Sequence, residues 1–88
     1  MKLNGTFTLR EVAGEILVIP VGKTALSLNG MIVLNPVSKV IWQCLGKGAE
    51  YHEILNAVTD TFEVSMEEAA ADLNEFLNEL RKQKLLSE

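Results

Sequence analysis

Few side chains in this sequence could support catalysis. His52 is the only histidine and Cys44 the only cysteine, so the chain has neither a pair of histidines to bind a metal nor the partner set of a histidine-based catalytic triad. We expect His52 at the surface or near a helix cap, and Cys44 as a small apolar residue on a helix stripe rather than as a nucleophile. No glycine-rich phosphate loop is present. The sequence therefore predicts a protein without intrinsic catalysis, bound metal or cofactor.

Carboxylates are the one abundant chemical group, and they are concentrated in the second half of the chain. Nine acidic residues and no Lys or Arg lie between Glu50 and Glu79. On the last predicted helix they lie mostly opposite the apolar stripe, which is typical of a solvated face and less so of paired acid and base groups. A segment with this charge repels phosphate.

Length and composition indicate one folded domain. The chain has 88 residues, of which 48% are hydrophobic and 23% charged, which is typical of a small globular domain. A single cysteine excludes an intrachain disulfide. No segment resembles a signal peptide or a membrane span, so we expect a cytoplasmic protein without membrane contact.

A central stretch joins a turn, a strand and a helix start. Asn29-Gly30 predicts a turn, and the four apolar residues Met31 to Leu34 predict a strand. Asn35 is a suitable helix N-cap, with Pro36 at the first helical position. Because this strand is apolar at every position, both of its faces need cover, and a partner could supply part of it.

Two strands are predicted before this stretch. Alternation over residues 6–12 and a β-branched apolar run over residues 16–21, joined at Ala13-Gly14, predict a hairpin. Residues 1–5 are expected to be a loose lead-in. Residues 22–28 are ambiguous, and we expect a short extended piece that returns the chain to the third strand.

Three helices follow, each with an apolar stripe of helical period. The first begins at Pro36 and ends at Gly46, the second runs from about Tyr51 to Phe62, and Ser65 with Glu68 predicts a capping box for the third. The stripes comprise Val37, Val40, Ile41, Cys44 and Leu45, then Tyr51, Ile54, Leu55, Val58 and Phe62, then Ala69, Leu73, Phe76, Leu77 and Leu80. Trp42 lies off the first stripe, and packing at the helix flank and contact with a partner are equally open interpretations.

Three strands followed by three helices predict an α+β domain of the winged helix-turn-helix type. Such folds often bind DNA, but here the third helix is acidic, which disfavours phosphate contact. An exposed strand edge fits peptide binding better, because its free N–H and C=O groups accept an extended segment as an extra strand. A DNA-binding regulator and a generic adaptor domain remain the alternatives.

From about Phe7 onward the sequence resembles the PqqD family of peptide chaperones, also known as RiPP recognition elements. The segments that carry the resemblance are Val18-Ile19-Pro20-Val21-Gly22, residues 29–35, Ile41-Trp42, Glu53-Ile54, and the ending from Phe76-Leu77 and Leu80 to Leu85-Leu86. The resemblance implies a domain that binds the leader of a ribosomally made precursor peptide. It also implies presentation of that peptide to a modifying enzyme, commonly a radical S-adenosylmethionine (radical SAM) maturase.

In the family, the leader adds to the third strand and lies in a cleft bounded by the third helix. On that basis the expected binding residues are Met31, Ile32, Val33, Leu34, Asp72, Leu73, Phe76 and Leu80. Leu73, near the centre of the stripe, is also expected in the core, whereas Phe76 and Leu80, nearer its edge, are expected to reach the cleft. Asp72 and Glu79 would rim it with negative charge.

The charge distribution predicts that this protein does not bind duplex DNA at moderate salt, because the nine carboxylates from Glu50 to Glu79, with no Lys or Arg among them, repel phosphate. An electrophoretic mobility assay over a salt series tests this. A shifted band that weakens steeply as salt increases would contradict the prediction.

Overall fold

Residues 1–28 and 31–88 are described by the computed structural model of the chain. Its elements, in chain order, are β1 (Lys2–Leu3), β2 (Phe7–Val12), β3 (Glu15–Pro20), α1 (Thr24–Ser27), β4 (Ile32–Leu34), α2 (Pro36–Lys47), α3 (Tyr51–Thr61), α4 (Met66–Lys82) and β5 (Leu86–Ser87). The predicted α+β class is confirmed, as are the hairpin, the third strand and the three longer helices. The predicted turn at Asn29-Gly30 lies outside the described residues.

A three-stranded antiparallel sheet in the order β2-β3-β4 forms one layer of the fold. Its register pairs Leu9 with Val18, and Leu17 with Val33. Because side chains alternate across a strand, Val18 and Leu34 point toward the helices and are buried, whereas Val33 points to the opposite face. Strand β4 lies at the edge of this sheet.

The core fills the space between the sheet and α2, α3 and α4. Its largest fully buried side chains come from the apolar stripes of the three helices and from β3, and are Ile41, Leu45, Ile54, Leu73, Leu77, Leu80, Val18 and Val58. Trp42 is only 3% exposed and its ring packs edge-to-face on Phe7, with centroids 5.1 Å apart. Of the two interpretations of Trp42, the structure shows the packing role.

Two segments differ from the predictions. Residues 22–28 contain the one-turn helix α1 instead of an extended piece. The Oγ1 atom of Thr24 accepts a hydrogen bond from the Thr6 N–H at 2.8 Å, and the Leu28 N–H donates to the Thr24 carbonyl at 3.1 Å. A contact between residues 18 positions apart in the sequence thus holds this turn, and local patterns do not reveal it.

The chain start is also more ordered than predicted. Strand β1 pairs antiparallel with β5, with Leu3 opposite Leu86, and the Asn4 N–H donates to the Leu85 carbonyl at 2.7 Å. Leu85 is buried and Leu86 packs on the core, so the end of the chain is held against the domain. Near this pair, the Arg81 guanidinium binds both carboxylate oxygens of Glu88 and holds the pKa of that carboxyl below its usual range.

Helix starts follow the local signals closely. The Oγ atom of Ser65 accepts a hydrogen bond from the Glu68 N–H at 3.1 Å, as predicted, but the Glu68 carboxylate contacts the Ser65 hydroxyl instead of completing a backbone capping box. At α3 the Glu53 carboxylate accepts from the Glu50 N–H at 2.8 Å. That hydrogen bond satisfies a free backbone donor without a Ser or Thr cap.

We predict that Leu77→Ala lowers the free energy of unfolding by about 2 to 5 kcal/mol, because it opens a cavity in a closely packed core. Chemical denaturation followed by the fluorescence of buried Trp42 measures the change. Leu26→Ala is the matched control: Leu26 is 88% exposed, so its truncation should alter stability by no more than about 0.5 kcal/mol. Equal effects of the two substitutions would contradict this description of the core.

Candidate functional site

The joint between β4 and α2 is held by reciprocal hydrogen bonds. The Asn35 side chain accepts from the Ser38 N–H at 2.8 Å, and the Ser38 hydroxyl accepts from the Asn35 N–H at 2.9 Å. Pro36 occupies the first helical position, where its missing N–H has no consequence. This capping box turns the chain sharply from strand to helix, so that Val33 before it and Val37 after it line the same groove.

Strand β4 has a free edge. It pairs with β3 on one side, and on its other side no strand is paired within residues 1–28 and 31–88. Val33 is 58% exposed and Met31 55%. The expectation that both faces of this strand are covered holds only for the core side, where Leu34 is buried and Ile32 half-buried. The outer apolar surface stays open.

Opposite this edge, α4 presents a stripe of mixed character. Asp72, Glu75, Phe76 and Glu79 follow the three- and four-residue spacing that places side chains on one helical face. The stripe lies beside the buried stripe that contains Leu73, Leu77 and Leu80. Phe76 is half-buried and packs against the core, while the three carboxylates are exposed.

A groove of about 250 Å³ separates α4 from the joint of β4 and α2. Its lining residues are Val33, Asn35, Val37, Ser38, Ile41, Asp72, Glu75, Phe76 and Glu79. The floor is apolar, because Ile41 is buried and Val37 and Phe76 are partly so. The rim is acidic, and no Lys or Arg lines the groove. An open strand edge beside such a groove can accept an extended peptide and read its side chains.

The predicted binding residues divide into three groups. Val33, Asp72 and Phe76 line the groove, and Met31 and Ile32 lie on or beside the free strand edge. Leu34, Leu73 and Leu80 are buried. The structure corrects the expected position of Leu80. This residue directly follows Glu79, and its side chain is 1% exposed and lies in the core instead of at the groove surface.

Four lining residues are not predicted from the sequence, namely Val37, Ser38, Ile41 and Glu75, and Asn35 is predicted only as a helix cap. The pattern Asn-Pro-x-Ser is the signal for the capping box, and the spacing of Glu75 from Asp72 is the signal for a shared face. Val37 and Ile41 carried no such signal, because their helical period equally describes core residues.

The remaining candidates for chemistry lie apart from this groove. His52 is exposed at the start of α3, and Cys44 is half-buried against the core. In the described residues, no group of three or more His, Cys, Asp and Glu side chains is arranged to hold a metal ion. None of the described helices combines the length and apolar character that a bilayer span requires.

The free strand edge and the adjoining groove define a surface suited to an extended polypeptide, and sequence comparison gives its family. The family described as Coenzyme PQQ synthesis protein D (PqqD) matches residues 18–86. The chain belongs to the PqqD family, which confirms the resemblance seen in the sequence. Among curated proteins, no significant match is found.

A solved structure described as TbiB1 in complex with the TbiA(beta) leader peptide has a similar fold. The two chains share 23% sequence identity, with a TM-score of 0.74, and the match covers 99% of this chain and 95% of the other. The structural similarity therefore covers nearly the whole chain, including the residues before position 18 that lie outside the family match.

We predict that Asp72→Lys leaves the melting temperature almost unchanged, because Asp72 is exposed and has no salt bridge among the described residues. Its neighbours at the three- and four-residue spacings, Glu68 and Glu75, are also acidic, so a lysine could relieve repulsion. Thermal unfolding followed by circular dichroism measures the effect. A fall in melting temperature as large as that of Leu77→Ala would show that Asp72 has a structural role.

Proposed function

We propose that this protein binds the leader segment of a ribosomally synthesised precursor peptide as an added strand along β4, and presents the peptide to a modifying enzyme. The observation that carries the proposal is the free edge of β4 beside the groove. Membership of the PqqD family supports it, as does the TbiB1 structure, whose description names a bound leader peptide.

Strand addition suits this edge physically. The backbone N–H and C=O groups of an edge strand bind any extended peptide, so they supply affinity that depends little on sequence. Selectivity then comes from the side chains that enter the groove. Ordering a flexible leader costs about 2 to 5 kcal/mol of the gross interaction, and burial of the exposed Val33 and Met31 side chains would offset part of it.

Each predicted binding residue has a place in this proposal. Met31, Ile32, Val33 and Leu34 supply the backbone edge, and the side chains of Asp72 and Phe76 contact the leader across the groove. Leu73 and Leu80 support the Phe76 side of α4 from the core. The domain is then a variant of the winged helix in which α4 bounds a peptide cleft instead of entering a DNA groove.

The proposed role is non-catalytic. The partner enzyme would be a peptide-modifying enzyme, with a radical SAM maturase as our specific proposal, and it would act in the cytoplasm, where the precursor is made. DNA binding is disfavoured by the carboxylates on the exposed faces of α4.

A proline scan of residues 31 to 34 tests strand addition. In an antiparallel strand, alternate N–H groups point to opposite neighbours, so one alternate pair of positions faces β3 and the other faces the free edge. Proline at a free-edge position should abolish leader binding and retain the fold, whereas proline at a β3-facing position should destabilise the sheet.

Calorimetric titration with the leader of a precursor encoded near the gene measures binding, and thermal unfolding of each variant measures the fold. Proline at Asn78, an exposed residue of α4, is not a suitable control, because proline breaks a helix. Val12→Ala is suitable, because Val12 is exposed and lies on the other edge strand. Wild-type affinity in every folded proline variant would place the binding site elsewhere.

A further inference from the structure

We infer that the peptide bound along β4 is basic on the side that faces α4: it carries Lys or Arg at alternate positions there. This inference rests on the proposed function and identifies the chemical class of the ligand. The charge of the groove, the spacing of its carboxylates and its apolar floor support this ligand class.

All the charged side chains that line the groove are negative. Asp72, Glu75 and Glu79 line it, and no basic residue does. Glu79 forms a salt bridge with Lys82 at 3.3 Å, whereas Asp72 and Glu75 form none with the described part of the chain. These carboxylates also repel one another at helical spacing. A cationic side chain in the groove would relieve that repulsion and gain two acceptors at once.

The spacing of the carboxylates fits an extended ligand. From Asp72 to Glu79 the stripe covers about 10 Å along the helix axis, at 1.5 Å for each residue. Side chains on one face of a strand repeat about every 7 Å. Two successive side chains on the same face of the peptide can therefore both reach this stripe.

The floor of the groove selects long cationic side chains over other polar ones. Lys and Arg have apolar stems that pack on apolar surface while the charged end remains near water, and Val37 and Ile41 provide such a surface. The half-buried Phe76 ring lies in the same stripe as Asp72 and Glu75 and can bind an Arg guanidinium through its π face. Acidic side chains would meet three carboxylates at the same place.

Selection from a displayed library of random peptides tests the inference without a known ligand. The selections use wild-type protein, the groove variant Asp72→Lys/Glu75→Lys and the matched control Asp60→Lys/Glu63→Lys. Both variants change the net charge equally, but Asp60 and Glu63 are exposed residues outside the groove lining. We expect Lys and Arg to be enriched at alternate positions with the wild type and the control, and Asp and Glu with the groove variant.

The affinities of the selected basic peptides measure how much the groove carboxylates contribute to binding. Exposed ion pairs strengthen binding by about threefold each, so the groove variant should bind them about tenfold more weakly than wild type, with a smaller difference at high salt. The control should retain most of the wild-type affinity. An equal loss in both variants would show that net charge alone attracts the peptides, and would overturn the inference.

Nuclear magnetic resonance shifts distinguish failure of this inference from failure of the proposed function. If selected peptides shift the amides of β4 and α4 but show no preference for Lys or Arg, the ligand class is wrong and strand addition stands. If the peptides leave the amides of residues 31–34 unshifted, both are wrong. Shifts on β4 and α4 together with alternating basic residues support both.

Discussion

The capping box between Asn35 and Ser38 is the local interaction on which the candidate site depends. Its two hydrogen bonds, at 2.8 and 2.9 Å, fix the direction in which α2 leaves β4. That direction places Ile41 and Leu45 over the sheet, where they join the buried stripe of α4. The groove is the space that remains between α4 and the joint, so its shape follows from how abruptly strand passes into helix.

The sheet retains an exposed edge that small proteins usually protect. Edge strands invite unwanted pairing, and charged residues, proline or a covering element commonly block it. Here β4 is short, at three residues, but it has no charged side chain, and Val33 is largely exposed. The core does not require these features, because Leu34 and the half-buried Ile32 anchor the strand to the buried cluster. They fit a surface that an additional strand completes.

Helix α4 carries two adjacent stripes, one that packs on the core and one that we propose contacts the peptide. Leu73, Leu77 and Leu80 hold the helix on the core, while Asp72, Glu75 and Phe76 face the groove. Because Asp72 and Glu75 are exposed, they can change without loss of core volume, whereas changes to the buried leucines would move both stripes together. The carboxylates of the groove-facing stripe also give this helix a charge opposite to that of the basic helices that contact DNA phosphates.

Local sequence determined most of the secondary structure, because its causes are local: the alternation in β2, the Asn35-Pro36 helix start, the Ser65 cap and the three helical stripes each act within a few residues. The family was also visible there, from the order and spacing of its segments. Tertiary structure decided the rest. Pairing of β1 with β5, and of Thr6 with the α1 turn, joins residues distant in sequence. Helical period alone also could not separate Leu80, in the core, from Phe76, in the groove, because the burial of each depends on what packs against neighbouring sides of one helix.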